Sequence, residues 1–167
     1  MASNYLEQLV AEWYEYQGYF IRRNVLVGKR KEGGHECELD IVAFHPISKE
    51  LIHVEPTMDG DSWDNREKRY RKKFNAGKKH IPEIFHGLQI SKEIKQIALL
   101  GYGSNAKHKE LGGGTTVTVA EFICNIIQTI GKKSIYRNAI SELYPILRTL
   151  QFMTENKKTI IDILNEL

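Results

Sequence analysis

Hydrophobic and polar positions along the chain alternate between two periods, and the switches between them mark the elements. Leu6, Leu9, Val10 and Trp13 recur at helical spacing, predicting a helix from about Asn4 to Gln17, with Gly18 at its C-terminal end. A mixed segment from Tyr19 to Val27 reads as a strand, and Gly28 to Gly34 as a polar turn. In Glu38-Leu-Asp-Ile-Val-Ala-Phe44 the period falls to two: Leu39, Ile41 and Ala43 alternate with Glu38, Asp40 and Val42. A second such run, Leu51 to Thr57, follows a loop containing Pro46. If residues 46–49 form a four-residue hairpin loop, His45 faces Glu50 and paired numbers sum to 95. Asp40 then lies opposite Glu55 and Glu38 opposite Thr57. Glu38, Asp40, His53, Glu55 and Thr57 share one face, and Leu39, Ile41, Ala43, Ile52 and Val54 the other. A slip of one residue would exchange the two sets, so the aliphatic face holds the register.

Farther along, Asp59, Asp61 or Ser62 is placed to cap a helix running to about Phe74, with Trp63, Glu67, Tyr70 and Phe74 along one stripe. Ile94 to Leu100 reads as a buried strand, Thr115 to Val119 as a short β-branched strand, and Glu121 to Ile130 as a helix. From Ser134 the pattern is helical, interrupted at Pro145, and a final amphipathic stretch covers Thr159 to Leu167. The Gly101-Tyr-Gly and Gly112-Gly-Gly segments lack the lysine and hydroxyl of a phosphate loop and read as turns. The order of elements predicts a mixed α/β domain, its core through residue 130 and a helical C-terminal extension over 131–167 of the same domain.

Composition narrows the class. The chain has 167 residues, 41% hydrophobic and 27% charged, as expected of a globular domain. No apolar run approaches the length of a membrane span. The N-terminal residues lack the basic flank and apolar block of a signal peptide, and with Cys37 and Cys124 as the only cysteines the expectation is a cytoplasmic protein with free thiols. Cys124, on an apolar helix, is expected in the core. Charge is uneven: eight basic residues against the single acid Glu67 lie between Arg66 and Lys79, a net +7 in a chain whose total is +3. A basic segment on an otherwise acidic protein suits phosphates, and it equally suits a solvated helix face.

Two carboxylates facing each other across adjacent strands repel unless a cation stands between them. Mg²⁺ typically takes one or two carboxylates and keeps several waters. The same pattern would also suit a solvent-facing hairpin edge, although no basic residue falls on that face within the hairpin.

Asp40 on one strand followed by Glu55-Pro56-Thr57 on the next resembles the core of the PD-(D/E)XK nuclease superfamily, which includes many restriction enzymes and Holliday-junction resolvases. The segment around Glu7, Val10-Ala11, Trp13-Tyr14 and Gly18-Tyr19 is similar to the first helix of its small resolvase-like members, and Arg66 to Tyr70 to the polar stretch ending in Tyr on the helix after the hairpin. The resemblance implies a restriction-endonuclease-like fold, a mixed central β-sheet flanked by helices. It implies a DNA endonuclease using Mg²⁺ or Mn²⁺, with Asp40, Glu55 and the Pro56 carbonyl as metal ligands and Glu7, or less directly Glu12, as an accessory acid. Arg66, Arg69, Tyr70 and Lys72 would contact nucleic acid. The superfamily's lysine should stand at position 57, where this chain has Thr57. Three readings follow: a basic residue reaches the site from the next helix, Lys73 being the first choice; metal suffices alone; or the protein is an inactive nucleic-acid-binding module. A protein-interaction subunit is a further reading, and the apolar tail is either packed on the domain or a homodimer contact.

Overall fold

The computed structural model describes residues 5–167, so the expected helix start at Asn4 lies outside the described residues. The chain divides into two compact units, Met1–Val119 and Ala120–Leu167. The first contains α1 (Tyr5–Tyr16), β1 (Phe20–Lys29), β2 (His35–Phe44), β3 (Leu51–Thr57), α2 (Trp63–Ile84), β4 (Ile94–Leu100), β5 (Glu110–Leu111) and β6 (Gly114–Thr118). Its six strands form one mixed sheet in the order β1-β2-β3-β4-β6-β5. The β1–β2, β2–β3 and β5–β6 pairs are antiparallel, while β3–β4 and β4–β6 are parallel. The architecture is therefore α/β, a mixed sheet flanked by helices.

The central hairpin has the register its aliphatic alternation demands. Phe44 pairs with Leu51, Ala43 with Ile52, Val42 with His53 and Ile41 with Val54, and the His45 amide donates to the Glu50 carbonyl at 3.0 Å. Past Ile41 and Val54 the main-chain ladder ends. The Asp40 amide donates to the Glu55 Oε1 carboxylate oxygen at 3.2 Å, a side chain standing in for a strand partner.

Strand β3 sits inside the sheet, between β2 and β4, and all of it from Leu51 to Pro56 is buried. Val42, Phe44 and Leu51 join Ala76 and Ile81 of α2 and Phe85, which caps its C-terminal end, in one core cluster. Alternation turns Ile41, Ala43, Ile52 and Val54 to the opposite face, where they are equally buried. Helix α1 packs on β1, β2 and β3 and buries Leu6, Leu9, Val10 and Trp13. The hairpin's polar face is thus no solvent-facing edge, because α2 lies across it.

Helix α2 begins where expected, with the Ser62 side chain accepting from the Asn65 amide, but it runs ten residues beyond Phe74. Gly77, a weak helix former, is needed there by packing rather than by a turn. A Cβ at Gly77 would overlap the His53 ring and crowd the Gln96 amide, so only glycine lets the helix approach β3 and β4 this closely. Tyr70 and Phe74 pack with Ala98, Leu100 and Leu111, and Trp63 lies partly buried against them.

The second unit holds most of α3 (Val119–Ile130), then α4 (Ile135–Asn138), α5 (Pro145–Glu155) and α6 (Lys157–Asn165). Its buried residues are Phe122, Ile126, Ile130, Ile140, Leu147 and Leu150, with Gln151 among them. Gln151 accepts from the Ile140 amide and donates to the Lys133 and Asn138 carbonyls, closing the irregular segment before Pro145. Cys124 is exposed rather than in the core, because the buried stripe of α3 runs through Phe122, Ile126 and Ile130 and leaves position 124 on another face. No residue of α6 is buried, so its apolar stripe of Ile161, Ile163 and Leu164 remains more than half exposed. Among the described residues no helix is long and apolar enough to cross a membrane.

Candidate active site

Three of the residues singled out in the sequence converge. Lys73, one turn before Gly77 on α2, reaches back to the hairpin and donates to Asp40 Oδ1 at 2.6 Å and to Glu55 Oε2. The ammonium therefore stands between two carboxylates that face each other across β2 and β3. Both acids are shielded: the side chain of Asp40 is 18% exposed and that of Glu55 2%. They line a cavity of about 230 Å³ with Pro56, Thr57, Asp59, Arg69, Tyr70 and Lys73.

The electrostatics follow from that enclosure. Burial, and then the facing Glu55, push the Asp40 carboxyl up to about 7 despite Lys73. Burial also raises Glu55, with Lys73 and the hydrogen bonds from Asp40 opposing. For Lys73, burial works against the ammonium, but Glu55 and Asp40 outweigh it and hold the lysine above its ordinary value. The lysine is charged at neutral pH, and the pair of acids shares a strained negative charge.

Behind Glu55 lies a buried relay. His53 Nε2 is 2.7 Å from Glu55 Oε1, and its Nδ1 is 3.2 Å from Gln96 Nε2. Gln96 Nε2 also donates to the Phe74 carbonyl at 2.8 Å, which accepts only, so the amide orientation is set and Nδ1 is the acceptor. The Nε2–H then donates to Glu55. Burial first, and Lys73 second, depress the His53 pKa to about 3, so the ring stays neutral. The Tyr70 hydroxyl donates to the Glu55 carbonyl at 3.2 Å, fixing the backbone at the same residue. Gln96 was not singled out in the sequence; its signal is a long polar side chain in the middle of the apolar run Ile94 to Leu100.

The remaining expected site residues divide. Glu7 on α1 comes near enough for burial first, and then Asp40, to raise its pKa, with Lys73 opposing. Glu12 is fully buried and accepts from Gln8 Nε2 at 2.9 Å. Thr57 spends its hydroxyl on Asp59 Oδ2 at 2.6 Å and carries no charge into the cavity. Arg66 and Tyr70, expected to contact nucleic acid, are 3% and 2% exposed, although Tyr70 lines the carboxylate cavity and both hold neighbouring backbone in place. Arg66 donates to the Asp59 and Tyr102 carbonyls and pairs with the Asp59 carboxylate, which ties together the loops after β3 and β4. Arg69 borders the cavity and pairs with Asp59 and Asp61, while Lys72 is exposed on α2.

Among the described residues no group of three or more His, Cys, Asp and Glu side chains gathers in a metal-binding arrangement. Asp40, Glu55 and Pro56 line the cavity, and two carboxylates with a backbone carbonyl are nevertheless the kind of hard oxygen ligands a largely hydrated Mg²⁺ or Mn²⁺ accepts. An ion there would share both carboxylates with Lys73. No model of a known protein family matches the chain, and no curated protein sequence matches it.

Proposed function

We propose that the protein is a metal-dependent phosphodiesterase acting on nucleic acid, a DNA endonuclease of the PD-(D/E)XK kind on a restriction-endonuclease-like fold. The observation that carries this reading is the Lys73 ammonium bonded to both Asp40 and Glu55. It brings a positive charge from α2 to the site where Thr57 of β3 cannot supply one. What favours this over an inactive binding module is that the two acids, Pro56 and the Lys73 cation border one cavity.

Asp40, Glu55 and the Pro56 carbonyl would hold a divalent ion, which when bound would supply polarisation of the phosphate and a more acidic water. Lys73 stays protonated, orients the attacking water through the one N–H not given to Asp40 or Glu55, and by its charge stabilises negative charge developing on the phosphate oxygens. Glu55 is kept in one orientation by His53 and by the Asp40 amide, which limits the motion of the whole set. In the step itself the water oxygen bonds to phosphorus as the water releases a proton to solvent, the ester P–O bond breaks, and the leaving alkoxide takes a proton from solvent. The exposed basic face of α2, including Lys72, holds backbone phosphates, a contact that gives affinity without base information.

The test is cleavage of plasmid, single-stranded and branched DNA with Mg²⁺ or Mn²⁺, against EDTA and against Asp40→Ala and Lys73→Met. Metal-dependent cutting lost in both variants is expected, with DNA binding retained by Asp40→Ala. Normal cutting by Asp40→Ala would place the activity elsewhere. Salt-sensitive binding without cutting would make the protein a binding module.

A further inference from the structure

We propose that a second cavity, next to the carboxylate site, receives an unpaired nucleobase stacked on the Trp63–His108 ring pair. This rests on the nuclease reading for the position of the scissile phosphate and deepens it by naming the substrate class: single-stranded nucleic acid, or duplex with an unpaired end or branch.

The cavity measures about 520 Å³ and is formed by the start of α2 and the loops that follow β3 and β4, the carboxyl ends of two parallel strands. Its volume falls in the range of sites that take a small planar ligand. Trp63 and His108 lie 3.9 Å apart between ring centres with planes 15° from parallel, a stack that a further flat ring extends. The Arg66 guanidinium lies over the Trp63 ring at 5.2 Å, and Lys107 also lines the space. Tyr102, another lining residue, leaves 59% of its surface exposed. Rings whose whole task was packing would close this space, whereas these border an opening. The Asp61 carboxylate on the same wall is already taken by Arg69, Asn65 and the Ser62 amide, so it adds little repulsion toward a polyanion.

Proximity links the two cavities. Asp59 borders the carboxylate cavity, and Gly60 and Asp61, its neighbours in sequence, border this one. A strand whose phosphate sits by Lys73 therefore has a base within reach of the rings. A base inside a duplex has both faces covered by its neighbours; only an unpaired one offers a face to Trp63 and His108. Because every base has such a face, the site is expected to be tolerant of sequence.

Trp63 also packs against the core, so the test uses His108→Ala and Tyr102→Ala, with His108→Phe as the variant that keeps a stacking ring. Fluorescence anisotropy in EDTA compares a labelled 12-nucleotide single strand with the same sequence as a blunt duplex, so that no cutting intervenes. The expected result is a loss of single-strand affinity in the alanine variants of about 5- to 150-fold, the worth of one stacked base. Duplex affinity should hold, and His108→Phe should restore most of the loss. Unchanged single-strand binding in both alanine variants, or equal losses on the duplex, overturns the proposal. Metal-dependent cutting together with unchanged single-strand binding removes the base site and leaves the nuclease. A single-strand-specific loss with no cutting removes the nuclease and leaves the base site. No binding to either nucleic acid overturns both.

Discussion

The Lys73 ammonium can be tested without any assumption about substrate, by replacing it with a side chain of similar length and no charge. Lys73→Met keeps most of the packing and leaves Asp40 and Glu55 facing each other without a cation. Removing one partner from a buried charged group costs on the order of 3–5 kcal/mol. Here the cost depends on pH in a definite direction. An acid whose folded-state pKa is raised stabilises the fold most below its unfolded value, and that contribution is lost as pH rises to the folded value. For Asp40 in the native protein the loss runs from its ordinary value of 3.8 to about 7. Without Lys73 the folded value rises further, so the loss continues above pH 7 at about 1.4 kcal/mol per pH unit for as long as Asp40 stays protonated. The variant and the native protein should differ least near pH 6 and diverge through pH 7 to 9. At pH 9 the difference reaches about 3 kcal/mol, which corresponds to about 6–12 °C in melting temperature for a chain of this length. Thermal and urea melts in EDTA across that range measure it, and adding Asp40→Asn to the variant should remove most of the pH dependence by replacing one carboxylate with a donor. Melting curves of Lys73→Met parallel to the native protein at every pH would contradict a Lys73 cation holding Asp40 and Glu55 together, as would a double variant no better than the single one.

Three further predictions rest on other parts of the fold. Gly77→Ala should lower stability, because overpacking against His53 at about 1–3 kcal/mol exceeds the roughly 1 kcal/mol gained in helix propensity; a melting temperature at or above the native value contradicts the close approach of α2 to β3. Lys72→Ala should weaken DNA binding equally for unrelated sequences and reduce the slope of log affinity against log salt by about 0.9, as one lost phosphate contact requires; an unchanged slope takes Lys72 out of the interface. Thiol titration of the native protein should label Cys124 rapidly and Cys37 slowly, since Cys124 is exposed and burial raises the Cys37 thiol; two equally fast thiols would contradict this placement.

The central hairpin shows how far local pattern reaches. Its register is set by a four-residue loop and by Ile41, Ala43, Ile52 and Val54, which must share the face away from the acids, and both are properties of residues 39–54 alone. The opposition of Asp40 and Glu55 follows from that register and was legible for the same reason. So was the choice of Lys73, because helical spacing limits which basic residues share a side with Tyr70. What a chain segment cannot state is what will lie across it. His53 reads as a polar strand position and is fully buried, because β3 ends up inside the sheet with α2 over its polar face. Arg66 reads as a member of a basic, solvent-facing stretch and is buried because the loops after β3 and β4 close over it, whereas Tyr70 belongs to a stripe whose spacing already points inward. The helix itself continues past Gly77, since a residue costly to an isolated helix is required where two backbones meet. Period and turn length determined which residues oppose one another along the hairpin. Only the docking of α2 decided which polar groups left water and how Lys73 came between the two acids, because burial and long-range electrostatics depend on neighbours that lie far away in the chain.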